Sequence, residues 1–345
     1  MYKLRIHRTI VSVRGAWRRL ERDGGDQHSV YQSYRVNAIV KKRMPIYALQ
    51  GKYSTRYVEL LEDGQTRMIL PICKYRRSNR YCSVGRFNGY QVYDFIYAAA
   101  MTPEKMSRCL AFVLKKLNVE SLSLSNVPHH SVLFACLSAP ELIPEGYQAQ
   151  WTDNDNVTID TGLDYERWHS GLSKSTRQNL RTAYNRMNTD GVSKRFALYQ
   201  GEKMPPQVLD QIIDLYCKRH SERYNEQVSA LKKWYLRHLD FSTACMRSGP
   251  DNFYALLYLN DQPAAFLSGM VEKGGSSAII PRLSIEDGFS KYSPGMVLVH
   301  ETVQSMISVR NIRYLDLSKG TEKYKLSMGG TLYQTHHIEL SRQPR

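Results

Sequence analysis

The sequence predicts a mixed α/β protein of two domains, each a mixed, mostly antiparallel sheet flanked by helices. Three observations predict it. The 345 residues exceed one average domain and suit two of about 150 to 190 residues. Strand-like runs alternate with helical patterns in both halves. A tract from Pro140 to Asn156, rich in Pro, Gly, Asn and Asp, falls between them and places the domains at 1–150 and 151–345.

In the first half, Gly15 to Asp23 reads as a short helix with Trp17 and Leu20 on one side, stopped by Gly24 and Gly25. Strands follow at Tyr57–Leu61 and Arg67–Cys73, joined by the hairpin signal Asp63-Gly64. Pro71 falls near a strand end, where a missing N–H is tolerated. After a turn-rich tract at Ser83–Tyr93, a helix over Thr102–Leu117 carries Met106, Leu110, Val113 and Leu117 on one face. Thr102-Pro103-Glu104 is a good start for it. A strand at Ser121–Leu124 and a helix at Ser131–Leu137 complete this half.

The second half opens on a basic helix capped by Ser173 and stopped by Gly191, with Leu180, Ala183, Tyr184 and Met187 as its apolar stripe. A strand at Arg195–Gln200 leads to a helix from Pro205 to about His220 and another over Val228–Leu239. Strands at Phe253–Leu259, Pro263–Glu272 and Ser276–Ile285 are separated by the turns Asn260-Asp261 and Gly274-Gly275. A helix over Gly295–Val309, a strand at Ile312–Leu317, a Gly-hinged turn presenting Tyr324 and Lys325, and a strand at Thr331–Leu340 close the chain.

Composition narrows the class. No apolar run reaches the ~18 residues of a membrane span, and the basic N-terminus lacks the apolar core of a signal peptide. The six cysteines lack C-x-x-C spacing and read as reduced thiols of a cytoplasmic protein. The net charge of +16 is uneven: residues 1–150 carry 23 Lys+Arg against 11 Asp+Glu, and residues 151–345 carry 25 against 21. Such a surplus suits an anionic partner of the first half, such as tRNA, a phosphorylated lipid or sugar, or an acidic carrier protein; a merely soluble basic surface is the competing reading. Basic clusters at 41–43 and 74–77 are interleaved with Tyr75, Tyr81, Phe87, Tyr90 and Tyr93. These rings could stack on bases or sugars, but half-buried sheet surface is the preferred reading. His129-His130 and His336-His337 are adjacent pairs, which point to opposite faces of a strand and are poor metal geometry, so no metal is expected.

Four stretches carry a resemblance: Met68 to Tyr97, LSKSTRQNLRTAYNRM from Leu172, YSPGMVL from Tyr292, and DLSKGTEKYKLSMGG from Asp316. In this order they resemble the GNAT acyltransferase superfamily, and more narrowly the CelD/BcsL-type acetyltransferases of cellulose biosynthesis. They are also similar to the Fem-type aminoacyl-tRNA-dependent transferases, which place two GNAT-like units in tandem. The resemblance covers nearly the whole chain and implies an acyl-CoA donor, such as acetyl-CoA, and an amine or hydroxyl acceptor, such as a saccharide of surface polysaccharide assembly. Aminoacyl-tRNA as donor, or a non-catalytic domain binding RNA or a carrier protein, are the alternatives.

The resemblance also implies a site. Two parallel strands, Ser276–Ile285 and Ile312–Leu317, should splay to admit pantetheine. The donor's pyrophosphate should rest on the helix opened by Ser293, Pro294, Gly295 and Met296, where the helix dipole favours anions. The superfamily's usual Arg/Gln-x-x-Gly-x-Gly/Ala loop is absent here; a single Gly and a Pro stand in its place. Lys325 is expected to stabilise the oxyanion or hold the donor, Tyr324 to be a wall or the leaving-group acid, and Asp316 to orient Lys325 or act as base. An Asp–Lys pair that merely fixes a turn is the competing reading. Asp94, Arg219 and His220 are candidates for binding the acceptor.

Overall fold

The computed structural model describes residues 1–24, 28–43, 53–87, 90–224, 229–238 and 240–344, without the side chains of 40–43, 87, 220–224 and 241. Gly25, Val228 and Leu239, expected at helix ends, lie outside the described residues, as do the side chains of the basic run 41–43, of Phe87 and of His220. Contacts divide the chain into two units, residues 1–155 with 334–345, and residues 156–333. The last strand therefore contributes most of its length to the first unit rather than closing the second.

The first unit runs β1 (Tyr2–His7), α1 (Arg14–Asp23), α2 (Tyr34–Arg43), β2 (Tyr53–Glu62), β3 (Gln65–Tyr75), β4 (Arg80–Ser83), β5 (Ile96–Tyr97), α3 (Pro103–Leu117), β6 (Ser121–Pro128) and α4 (Val132–Ser138). The strand order is β1-β2-β3-β4-β6, with β5 on β3. The β2–β3 hairpin turns at Asp63 and Gly64, with φ of 50° and 80°, the left-handed pair a two-residue hairpin requires. Among the described strands of this unit β4 and β6 pair in parallel, and α3 lies in their crossover. Trp17, Leu20, Tyr57 and Ile69 form part of a core beneath α1. Strand β7 (Tyr147–Asp160) occupies the tract expected as a linker. Its Gln, Asn and Asp side chains are largely exposed, so polarity masked a strand whose backbone ladder satisfies its amides.

The second unit continues from the end of β7 through α5 (Tyr165–Gly171), α6 (Lys174–Thr189), β8 (Lys194–Gln200), α7 (Pro206–Tyr224), α8 (Ala230–His238) and α9 (Phe241–Ser248). Then come β9 (Phe253–Leu259), β10 (Gln262–Val271), β11 (Ser277–Ile285), α10 (Pro294–Ser305), β12 (Tyr314–Lys319), α11 (Lys323–Ser327) and the start of β13 (Gly330–Arg342). The strand order is β7-β12-β11-β10-β9-β8, antiparallel except for β11 and β12. One face packs on α10: Ala255, Leu257, Ala265 and Leu267 meet Leu298, Val299 and Val303. The other face carries Tyr254, Leu256 and Phe266, paired in register with Ser268, Phe266 and Ser284 respectively for Tyr254 with Ser268, Leu256 with Phe266, and Phe266 with Ser284. Helix α7 packs there through Leu209, Ile212 and Tyr216.

Candidate active site

The site grows from the register of β11 and β12. Ser277 pairs with Tyr314, Ala278 with Leu315 and Ile279 with Asp316, and there the ladder ends although both strands continue. Beyond that point the Ser318 hydroxyl donates to the Ile280 carbonyl at 3.0 Å. Ser318 has φ of 60°, so β12 turns away just past Asp316. A parallel pair that stops hydrogen bonding leaves backbone groups for an extended ligand to meet.

Helix α10 begins beside this opening. Ser293, at φ 49° and ψ 52°, precedes it and makes no side-chain cap; Pro294 occupies the first turn. Its fixed φ suits that position and its absent N–H costs nothing there. The amides of Met296 and Val297 donate to the Ser293 carbonyl, whereas the Gly295 amide belongs to the group that a helix start leaves unpaired. A Cβ on Gly295 would meet Ile285 Cγ2 at 3.2 Å, so the backbone lies close to the end of β11. An anion is favoured at such a terminus by both the amide and the dipole.

Asp316 lies on the sheet face shared with its partners Ile279 and Thr158, opposite Leu315 and Leu317 in the α10 core. Its carboxylate accepts from the Ser318 amide at 2.7 Å and from the Tyr333 hydroxyl at 2.5 Å. Burial outweighs those bonds and the nearby Lys325 charge, and pushes the carboxyl up to about 6. That suits a proton acceptor working near neutrality.

The Lys325 ammonium is buried and donates to the carbonyls of Lys319 at 2.8 Å, Gly320 at 3.2 Å and Ser318 at 3.4 Å, with the Glu322 carboxylate at 2.9 Å. A lysine has three protons; here they gather the 318–320 backbone into a loop at the end of β12. Tyr324 sits on the short helix α11, half-buried against the core, where burial first and Glu322 second keep its hydroxyl protonated. The turn expected around these residues is thus a helical turn.

Two further candidates belong to other elements. Asp94 lies in the first unit, fully buried, accepting from the Phe95 amide at 2.7 Å and the Tyr97 hydroxyl at 3.1 Å. Burial pushes it up to about 7. Arg219 is on α7 and pairs with Asp287 just ahead of α10. Arg282, Ser268 and Tyr333 were missed by the sequence reading, although a charged residue inside the apolar run of β11 was a legible signal. Among the described residues no group of three His, Cys, Asp or Glu is placed to hold a metal ion.

Comparisons with known proteins agree on a class. Residues 174–326 match a family model described as an acetyltransferase (GNAT) domain. Three solved structures extend the likeness to the whole chain. FemX has a TM-score of 0.60 at 10% identity, covering 97% of this chain and 96% of its own. A tandem GNAT protein from the clavulanic acid biosynthesis pathway has a TM-score of 0.54 at 10% identity, covering 100% and 99%. A conserved protein of unknown function from Bacteroides thetaiotaomicron has 0.56 at 13%, covering 99% and 100%. No curated protein matches the sequence. The fold is that of the tandem GNAT proteins, and within it residues 174–326 match the acetyltransferase (GNAT) domain.

Proposed function

We propose that the second unit moves an acyl group from an acyl thioester, with acyl-CoA as the favoured donor, to an amine or hydroxyl of a small polar acceptor. The observation that carries this reading is the parallel pair β11–β12, which parts after Ile279 and Asp316 beside an uncapped helix start at Ser293–Met296. The donor's pyrophosphate rests on the Gly295 amide, and its pantetheine arm enters between the parted strands. Asp316 takes the proton from the acceptor as it attacks the thioester carbonyl. Tyr324, kept protonated by burial, gives a proton to the departing thiolate. Lys325 contributes by shaping the 318–320 loop rather than by donating to the oxyanion, since its protons are already engaged. A saccharide of surface polysaccharide assembly remains the acceptor implied by the sequence resemblance.

A second reading, aminoacyl-tRNA as donor, is favoured by the basic first half and by the likeness to FemX. The test is thermal stability with acetyl-CoA, longer acyl-CoAs, free CoA and bulk tRNA, because a ligand of the folded state raises the melting temperature by mass action. A shift with an acyl-CoA supports the first reading. A shift with tRNA alone transfers the proposal to the second.

A further inference from the structure

A guanidinium stands on the same sheet face as Asp316. Between Ile279 and Arg282, β11 carries one more residue than β10 does between Met270 and Ser268, a bulge around Pro281. The bulge sets Ile279, Arg282 and Ser284 on one face, away from α10. Asp316 shares that face through its pairing with Ile279. Without the bulge, Arg282 would point into the apolar core beneath α10.

The surroundings of Arg282 are apolar on most sides. It lines a narrow cavity with Leu209, Ile213, Tyr216, Tyr254 and Phe266. The Tyr216 ring lies 4.8 Å from the guanidinium carbon. Arg282 Nη2 donates to Asp240 Oδ1 at 3.0 Å, and Asp240 is its sole hydrogen-bond acceptor among the described residues. The other Asp240 oxygen is committed to the start of α9, accepting from the Thr243 amide at 2.8 Å and its hydroxyl at 3.0 Å. Of five guanidinium donors, most therefore have no protein acceptor among the described residues, and the side chain keeps 23% of its exposure, so a further acceptor can reach them.

Two more groups wait on the same face. The hydroxyls of Ser268, directly paired with Arg282, and of Ser284 are buried without a partner among the described residues. Buried hydroxyls rarely go unsatisfied without a ligand or water to meet them.

We propose that this cavity binds the carboxylate of the acceptor, so that the enzyme acylates small molecules bearing a carboxylic acid, such as amino, hydroxy or sugar acids. A carboxylate is planar, fits a guanidinium edge with two parallel hydrogen bonds and accepts further bonds from hydroxyls. The cavity has room for about one water molecule, so one carboxylate oxygen takes that place while the rest of the acid stays at the exposed edge of Arg282. Clamped there, the acceptor's amine or hydroxyl is held on the face that carries Asp316. This assignment rests on the transferase reading of the same unit.

Two measurements test it separately from that reading. The first is thermal shift of the full chain with a panel of amino, hydroxy and uronic acids and their uncharged amides, without CoA. Acids should stabilise the protein and their amides should not. Arg282→Gln should abolish the shift while retaining any shift with acetyl-CoA. Ser268→Ala should weaken acid binding roughly threefold to tenfold at equal or higher intrinsic melting temperature, which guards against Arg282→Gln failing to fold. The second is CoA release from acetyl-CoA with the same panel, where Arg282→Gln should raise KM for the acid at least about thirtyfold. Equal binding or use of acid and amide overturns the proposal, as does indifference to Ser268→Ala, or no binding by any acid. Acid binding without an acetyl-CoA shift keeps the carboxylate site and removes the acyl-CoA reading.

Discussion

Asp316 on β12 and Lys325 on α11 both bond the chain around Ser318, yet the atoms they meet differ. Asp316 is held by one amide and one hydroxyl and is raised to about 6 by burial. Asp316→Asn should lower acyl transfer by about 10²- to 10⁴-fold, and the wild-type rate should climb as pH rises through about 6. A rate independent of pH between 5 and 7 counts against Asp316 as base. Lys325 instead satisfies three carbonyls. Lys325→Ala leaves those groups buried or half-buried without a donor and should cost about 2 to 4 kcal/mol of stability, measured by denaturant unfolding. Full stability in that variant, with lost turnover, would restore a direct part in catalysis. The residue types were legible in the sequence; which atoms each would meet was not, because the partners come from Tyr333 and from backbone turned by Ser318.

At the scale of elements, the start of α10 was readable from Ser293-Pro294-Gly295, since Pro and Gly state local backbone needs. Gly295→Asp would place a carboxylate where the donor's pyrophosphate is proposed to bind. The helix dipole tolerates an acid there and the new Cβ asks Ile285 to shift slightly, so the melting temperature without ligand should fall by only a few degrees while CoA binding weakens roughly tenfold or more, read by calorimetry. Unchanged CoA affinity would move the donor elsewhere. Other elements escaped. The polar side chains of β7 hid a strand, and β1 (YKLRIH) was read only for targeting signals. The short helices α5 and α9 were also unforeseen, although Asp164 and Asp240 cap them by accepting from the Arg167 and Thr243 amides, a signal that Asp offers in many turns as well.

For the whole molecule, three buried groups oppose one another in pH dependence. Asp94 and Asp316 are raised to about 7 and about 6, so the folded state holds protons that the unfolded chain has released. Their contribution to stability falls as pH rises from about 4 to 7 and is flat above. His300 is lowered to about 4 by burial and is hydrogen-bonded to Tyr165 and Tyr184; stability from it falls as pH drops from about 6.5 to 4. The melting temperature should therefore be higher near pH 6 than at pH 8. Asp94→Asn, which keeps an oxygen to accept from the Phe95 amide and offers its NH2 to the Tyr97 hydroxyl oxygen, should raise the value at pH 8 and flatten the slope. A wild-type profile flat from pH 6 to 8 would contradict the burial of these carboxyls.

The sequence alone determined the order of most strands and helices, the hairpin at Asp63-Gly64, the opening of α10 and the stretch around Asp316 in which the candidate chemistry sits. These are local statements: periodicity, turn residues and helix starts depend on a few neighbours along the chain. Tertiary structure decided the rest. Where β11 and β12 part, which face Arg282 takes after the Pro281 bulge, and that Lys325 spends its protons on backbone all depend on register and burial. Those arise only when segments far apart in sequence are brought side by side, and a shift of one residue in a ladder would reverse every such assignment.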